Sequence, residues 1–175
     1  HSYTCGALVL ALGADPKLSG ASGEKELRGL GVSYCATCDA NFFRDMDVAV
    51  VGGGDTALEE AAYLTKFAKK VTLIHRRDEF RGAKILQERI KKNPKIEILY
   101  DSTVDSIQSG PDGLVDKIEV RNLISGKVED LPVQGIFIFV GHIPNTRFLE
   151  GKVRLTGSGY IPTSDRMETN VPGVY

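Results

Sequence analysis

The sequence carries almost no net charge, few cysteines and no long apolar run, and each scarcity removes a class of function. Its 22 basic and 23 acidic residues leave a formal charge of -1, so no overall field draws in nucleic acid or a membrane surface. No apolar stretch approaches the roughly 20 residues of a membrane span, and no charged-then-apolar signal segment opens the chain. The simplest compartment is the cytoplasm. Three cysteines, Cys5, Cys35 and Cys38, cannot build a multi-bridge secreted scaffold. Zinc is the bland alternative for the pair. A structural zinc site wants about four ligands, yet Cys5, His1, His75 and His142 form no second paired knuckle. Internal repeats and low-complexity segments are also missing.

What is present suits one substantial core with flanking segments, in a chain of 175 residues that is 42% hydrophobic. Ala7 to Leu12 reads as a buried strand, broken by Gly13-Ala14-Asp15-Pro16. The polar stretch Ser19 to Glu24 then reads as a flexible hinge or boundary. Val48 to Val51 is a short apolar run suited to a strand buried on both faces of a parallel sheet. Ala57, Ala61, Leu64 and Ala68 recur at helical spacing between Asp55 and Lys69, and Val71 to Ile74 supplies the next strand of a βαβ unit. A second helix on Ala83, Leu86 and Ile90 should end near Asn93-Pro94, with Ile96 to Leu99 as the strand after it. Turns at Ser109 to Gly113 and Ser125 to Lys127 mark an antiparallel meander of Thr103 to Gln108, Leu114 to Asn122 and Val128 to Pro132. Gly135 to Gly141 is a last buried strand. The tail from Lys152 is rich in glycine and proline, with no long helix. The chain opens without methionine and stops at Val171 to Tyr175, which looks like mid-strand, so it reads as an excised piece. The fold class is therefore α/β, with a central parallel sheet and an antiparallel β-meander.

The order strand, Gly52-x-Gly54-x-x-Ala57, helix fits a dinucleotide fingerprint of the Rossmann-like kind. Gly52 can make the tight turn, Gly54 can let backbone approach a pyrophosphate, and small Ala57 can let helix and strand pack closely. The helix N-terminus adds donors and a favourable dipole. Where an NAD site commonly carries a carboxylate after the second strand, this chain has His75-Arg76-Arg77, with Arg81 nearby. A carboxylate would repel a 2′-phosphate, whereas arginines offer planar, permanently charged donors to it, so the cluster favours NADPH over NADH. A structural glycine turn and a solvated charged surface are the competing readings.

Cys35 and Cys38 are spaced for reversible disulfide formation. Asp39 is the adjacent candidate acid or base, with helix capping as its alternative role. Cys5, without a neighbouring thiol, reads as a buried small residue.

Four motifs in order, Cys35-Ala36-Thr37-Cys38-Asp39, Gly52-Gly53-Gly54-Asp55-Thr56-Ala57, His75-Arg76-Arg77-Asp78-x-Phe80-Arg81 and Gly141-x-x-Pro144-Asn145-Thr146, resemble bacterial-type thioredoxin reductase across almost the whole chain. That resemblance implies an NADPH-dependent flavoprotein that passes electrons through FAD to the Cys35/Cys38 disulfide and on to thioredoxin. It implies Cys38 nearer the flavin, Cys35 more available for exchange and Asp39 as acid/base group. The glycine run and Gly141 fall to the cofactor, and His75, Arg76, Arg77 and Arg81 surround its 2′-phosphate. It further implies a homodimer, and domains of 1–20 (strip of an FAD-binding domain and hinge), 21–146 (NADPH-binding domain carrying the dithiol) and 147–175 (return towards the FAD-binding domain). Ala40 stands where the family often has glycine, and Ala11-Leu12-Gly13 replaces a more familiar alanine-threonine-glycine. The FAD fingerprint is not in this chain, so the expectation is NADP(H) binding without efficient flavin-mediated turnover. A flavoprotein reductase of a peroxiredoxin system and a stand-alone NADPH-binding redox sensor are the alternatives.

Overall fold

The computed structural model describes residues 3–175. His1, weighed above as a metal ligand, lies outside them. In chain order the elements are β1 (Ala14–Pro16), β2 (Val32–Ser33), α1 (Ala36–Asp39), β3 (Asp47–Gly52), α2 (Asp55–Leu64), β4 (Lys70–Ile74), α3 (Lys84–Lys92), β5 (Ile96–Leu99), β6 (Ser102–Ser109), β7 (Val115–Asn122), β8 (Val128–Pro132), β9 (Gly135–Phe139) and β10 (His142–Pro144). Leu18–Val140 forms one compact unit, and the stretches up to Lys17 and from Gly141 to Tyr175 form another.

In the unit Leu18–Val140, five parallel strands run in the order β2-β9-β3-β4-β5, and β6-β7-β8 make a separate antiparallel sheet. Side chains alternate along each strand, and the alternation sorts the core in two. Val48, Val50, Val71, Leu73 and Phe137 pack with Ala57, Leu58, Ala61 and Leu64 of α2. Ala49, Val51, Ile74, Ile136 and Ile138 pack with Val104, Ile107, Ile118 and Val120 of the meander. Helices thus cover one sheet face and the meander the other, an α/β Rossmann-like arrangement in three layers. The near-continuous apolar runs of β3 and β4 follow from burial on both faces.

Helix α2 stops at Leu64, five residues before the Lys69 expected from periodicity. The Thr65 hydroxyl donates to Ala62 O at 2.7 Å, and Lys95 Nζ donates to Thr65 O (2.9 Å) and Ala68 O (3.0 Å). A cation on the last carbonyls closes the helix without a further turn. The stretch Ser19 to Glu24 is not the flexible hinge its composition suggested. Glu24 is 2% exposed and gathers Ser19 N, Ser19 Oγ, Gly20 N and the Tyr34 hydroxyl.

In the other unit β1 pairs antiparallel with β10 and Lys17 N donates to Gly141 O at 2.9 Å, so Gly141 to Pro144 travel with the N-terminal stretch. The two compact units divide at 17/18 and 140/141. Ala7 to Leu12 is not a buried strand. It meets the C-terminal stretch through one bridge, Leu8 to Val174, and a bond from Leu10 N to Tyr175 O, and Leu8 and Val9 are exposed. Cys5 is likewise exposed rather than buried. Val171 to Tyr175 adds that one bridge and no strand.

Candidate functional site

Strand β2 escaped sequence reading because it is two residues long, yet it brings the cysteines to the sheet. Its residues pair parallel to β9, with Ser33 opposite Phe137, and Phe137 is also opposite Val50 of β3. Two residues further on, Cys35 on one side and Gly52 on the other have run to the same level, at the carboxyl ends of the strands. Two interstrand steps separate the strands that lead to them, roughly 10 Å. Ligands of open α/β sheets bind in the crevice outside these strand ends.

Cys35 caps α1, and Cys35 and Cys38 are joined as a disulfide with their Cα atoms 5.3 Å apart. Cys38 N donates to Cys35 Sγ at 3.3 Å and the Thr37 hydroxyl lies 3.4 Å from the same sulfur. Such donors favour negative charge on a sulfur when the bond is opened. Cys38 is exposed and Cys35 half-buried. Asp39 is half-buried and accepts the Ser33 hydroxyl at 2.6 Å, while Ser33 Oγ accepts Cys35 N at 3.1 Å. Ser33, which no motif singles out, therefore joins the carboxylate to the dithiol backbone. Asp39 does not cap a helix through its side chain. Ala40 adopts φ -54°, a right-handed helical value, so this position needs no glycine.

The glycine loop leaves β3 with Gly52 at φ +153°, where an added Cβ would lie 2.5 Å from Phe139 O and 2.7 Å from Ala57 Cβ. Gly53 is closed by His75, whose Nδ1 would be 2.2 Å from a Cβ. At Gly54 a Cβ would meet nothing within 4 Å. Gly54 caps α2 with no side-chain acceptor, which leaves the first turn of the helix without a capping side chain and with the positive end of the dipole behind it. A dinucleotide pyrophosphate fits this cradle. Thr56 is exposed beside it, and Asp55, also exposed, turns its Oδ1 to Ala83 N at 2.7 Å.

Arg76, Arg77 and Arg81 are exposed, and among the described residues none of them is in an ion pair. Their segment is fixed by backbone bonds: Arg81 N and Gly82 N donate to Gly53 O, and Asp101 N donates to Arg77 O. His75 is different in kind. It is 5% exposed, with Nε2 3.0 Å from Glu79 O and its ring 5.3 Å from that of Phe80. Burial holds its pKa below the ordinary histidine value, and Arg77 and Arg81 add to the lowering. It lies beneath the glycine loop rather than out among the arginines. Gly141, φ +113°, belongs to the other unit. Among the described residues no group of three or more His, Cys, Asp or Glu is gathered for a metal, and no helix is long and apolar enough to cross a membrane.

A disulfide and a glycine loop opening a helix thus stand at the carboxyl ends of one parallel sheet. The chain belongs to the pyridine nucleotide-disulphide oxidoreductase family, which it matches over residues 1–175. Within that family its relatives are thioredoxin reductases. It is 51% identical to that of Peptoclostridium acidaminophilum over 99% of this chain and 56% of the relative, and 45% identical to that of Mycolicibacterium smegmatis over 100% and 56%. The crystal structure of Lactococcus lactis thioredoxin reductase in its FR conformation is similar at a TM-score of 0.88 and 40% identity, over 97% of this chain and 55% of that one. The crystal structure of T. acidophilum thioredoxin reductase is similar at a TM-score of 0.87 and 32% identity, over 97% of this chain and 55% of that one. The chain spans about half the length of the curated relatives it matches.

Proposed function

We propose that this chain is the NADPH-binding, dithiol-carrying module of a thioredoxin reductase. The observation that carries the reading is the register that brings the Cys35–Cys38 disulfide and the Gly52-to-Ala57 loop to the same end of one sheet. NADPH, when bound, supplies a hydride. The chain's own residues bind and orient it: the amides at the start of α2 take the pyrophosphate, and Arg76, Arg77 and Arg81 take the 2′-phosphate. His75 supports the loop from beneath, and Gly141 is assigned to the cofactor by motif alone. FAD belongs to the parent protein in this reading. No residue of this chain is assigned to it, and no step here is routed through it.

The dithiol is the electron exit. With two electrons and two protons the Cys35–Cys38 bond opens to two thiols. A thiolate then attacks the disulfide of thioredoxin, forming a mixed disulfide, and the second cysteine displaces the reduced partner as the intramolecular bond re-forms. Cys35 is assigned the exchange step by the family resemblance, although Cys38 is the more exposed of the two in this unit. Asp39, held by Ser33, is the group placed to carry a proton beside the sulfurs. The domains read as an NADPH-binding body flanked by two strips of an FAD-binding domain, in a cytoplasmic homodimer.

Equilibrium titration of the chain with NADPH and NADH tests the cofactor assignment. NADPH binds more tightly, and Arg76→Ala/Arg77→Ala weakens NADPH by about 3 kcal/mol, roughly 150-fold, before non-additivity, while NADH changes less than about twofold. Equal affinity for the two cofactors in the unmutated chain would sink the arginine assignment.

A further inference from the structure

Three anchors fasten the arginine segment to the glycine loop. Gly53 O accepts the amides of Arg81 at 2.8 Å and Gly82 at 3.1 Å. The His75 ring packs so closely on Gly53 that no Cβ fits between them. Asp55 Oδ1 accepts Ala83 N at 2.7 Å. Of these, the Asp55 contact alone runs through an exposed side chain. It also crosses between helices: Asp55 opens α2, whereas Ala83 is the N-cap of α3 and has no side-chain oxygen of its own. A carboxylate reaching an N-cap amide is half of a capping box, supplied here from the neighbouring helix. Gln87 Nε2 holds the other side of the same turn through Gly82 O at 2.8 Å. Gly82 is confined by the pairing, since a Cβ there would lie 2.6 Å from Leu58 Cδ1 and 3.1 Å from Asp55 N.

A carboxylate at the mouth of an anion cradle repels the pyrophosphate, so its presence calls for a compensating role. We propose that Asp55 is a positioning residue for cofactor selectivity: by capping α3 it fixes the Arg76-to-Arg81 segment at the distance from the glycine loop that a 2′-phosphorylated dinucleotide requires. The inference rests on the NADPH reading above. Loss of this anchor leaves the Gly53 bonds in place but loosens the turn at Ala83, two residues from Arg81, which only the phosphorylated cofactor reaches. Loss of the negative charge helps both cofactors alike and cancels in their ratio.

The test is the ratio of NADH to NADPH dissociation constants, read by nicotinamide fluorescence on the whole chain at fixed salt, with far-UV circular dichroism as a check on folding. Asp55→Ala lowers the NADPH preference about fivefold. Asp55→Asn keeps an acceptor oxygen for Ala83 N, retains the preference and binds both cofactors at least as tightly. Asp55→Ser, too short to reach Ala83 yet polar in the first turn, is a second loss variant and behaves like Ala. An unchanged ratio in either loss variant, or an Asn variant that loses the preference as Ala does, overturns the proposal. No NADPH preference in the unmutated chain overturns instead the cofactor reading beneath it.

Discussion

Gly52 and Gly54 stand two residues apart in one loop, and the geometry gives their replacement opposite consequences. At Gly52 a methyl group would have to occupy φ +153° and lie 2.5 Å from Phe139 O, a backbone atom of the adjacent strand, and 2.7 Å from Ala57 Cβ. Neither neighbour is the loose end of a side chain. Backbone strain of about 1 kcal/mol and overpacking of about 2 kcal/mol together destabilise Gly52→Ala by ~3 kcal/mol. At Gly54 the backbone is extended, with φ -91° and ψ -180°, and a methyl group meets nothing within 4 Å. The folded chain has no reason to resist it beyond the poorer N-cap, under about 1 kcal/mol.

Gly54 is the residue that opens α2, so in the proposed cofactor site a methyl group in the empty space there obstructs the pyrophosphate. Urea denaturation followed by circular dichroism, paired with NADPH titration, separates the two effects. Gly52→Ala lowers the midpoint by roughly 1.5 M, given typical urea slopes of about 2 kcal/mol per molar. Gly54→Ala leaves the midpoint within about 0.5 M yet weakens NADPH by roughly tenfold or more. Gly54→Ser improves the cap and still blocks the ligand. If Gly54→Ala binds NADPH as the unmutated chain does, the cradle lies elsewhere and the glycine serves only the turn.

Two further outcomes concern stability. Because burial lowers the His75 pKa in the folded chain, the unfolded chain takes up the proton first; the contribution of neutral His75 is present above about pH 6.5 and is lost as pH falls through the lowered folded value. His75→Gln should flatten the decline in unfolding free energy between pH 7 and pH 5, as read by denaturant titration at each pH. Glu24→Ala removes the shared acceptor of two amides and two hydroxyls, which are half-buried or exposed, and costs about 2 kcal/mol by the same assay, more than Tyr34→Phe, which removes one donor. Burial and the Glu24 hydrogen bond push the Tyr34 hydroxyl up to about 12, so its contribution is intact below the unfolded value of about 10 and is lost as pH rises towards the folded one. The Phe variant lacks that alkaline decline; an identical decline would detach it from Tyr34.

Periodicity located the body of the fold because burial on two faces leaves a strong signature. The runs at β3, β4, β5 and β9, the two helices and the three meander strands fall where the sequence pattern put them, apart from the early end of α2. What spacing missed is short or is satisfied by polar partners. β2 has two residues, too few for a pattern. Ser19 to Glu24 has the composition of a linker but the structure of an anchor, since a buried carboxylate can order glycine and serine as firmly as apolar contacts do. Ala7 to Leu12 has the composition of a core strand, yet its unit offers one bridge to satisfy it. In the site, residue types were legible while their directions were not. Nothing in the string Gly-Gly-Gly-Asp says that the aspartate turns to a second helix, or that the histidine before two arginines faces inward.

The closeness of dithiol and glycine loop also needs more than the short sequence interval between them. That interval contains a full strand, which alone would carry the chain back across the sheet and leave the cysteines at either end. The outcome is decided by small side chains. Ala36 and Ala40 on the cysteine turn and Ala57 and Ala61 on α2 are all fully or almost fully buried in one cluster. α1 and α2 are in contact, and small buried side chains on two such segments let their backbones approach closely, as glycine and alanine do in close helix contacts generally. A larger residue at any of the four would push α1 outward and take Cys35 and Cys38 with it. Placement of the sulfurs beside the cradle is thus written in the residues with the least chemistry of their own.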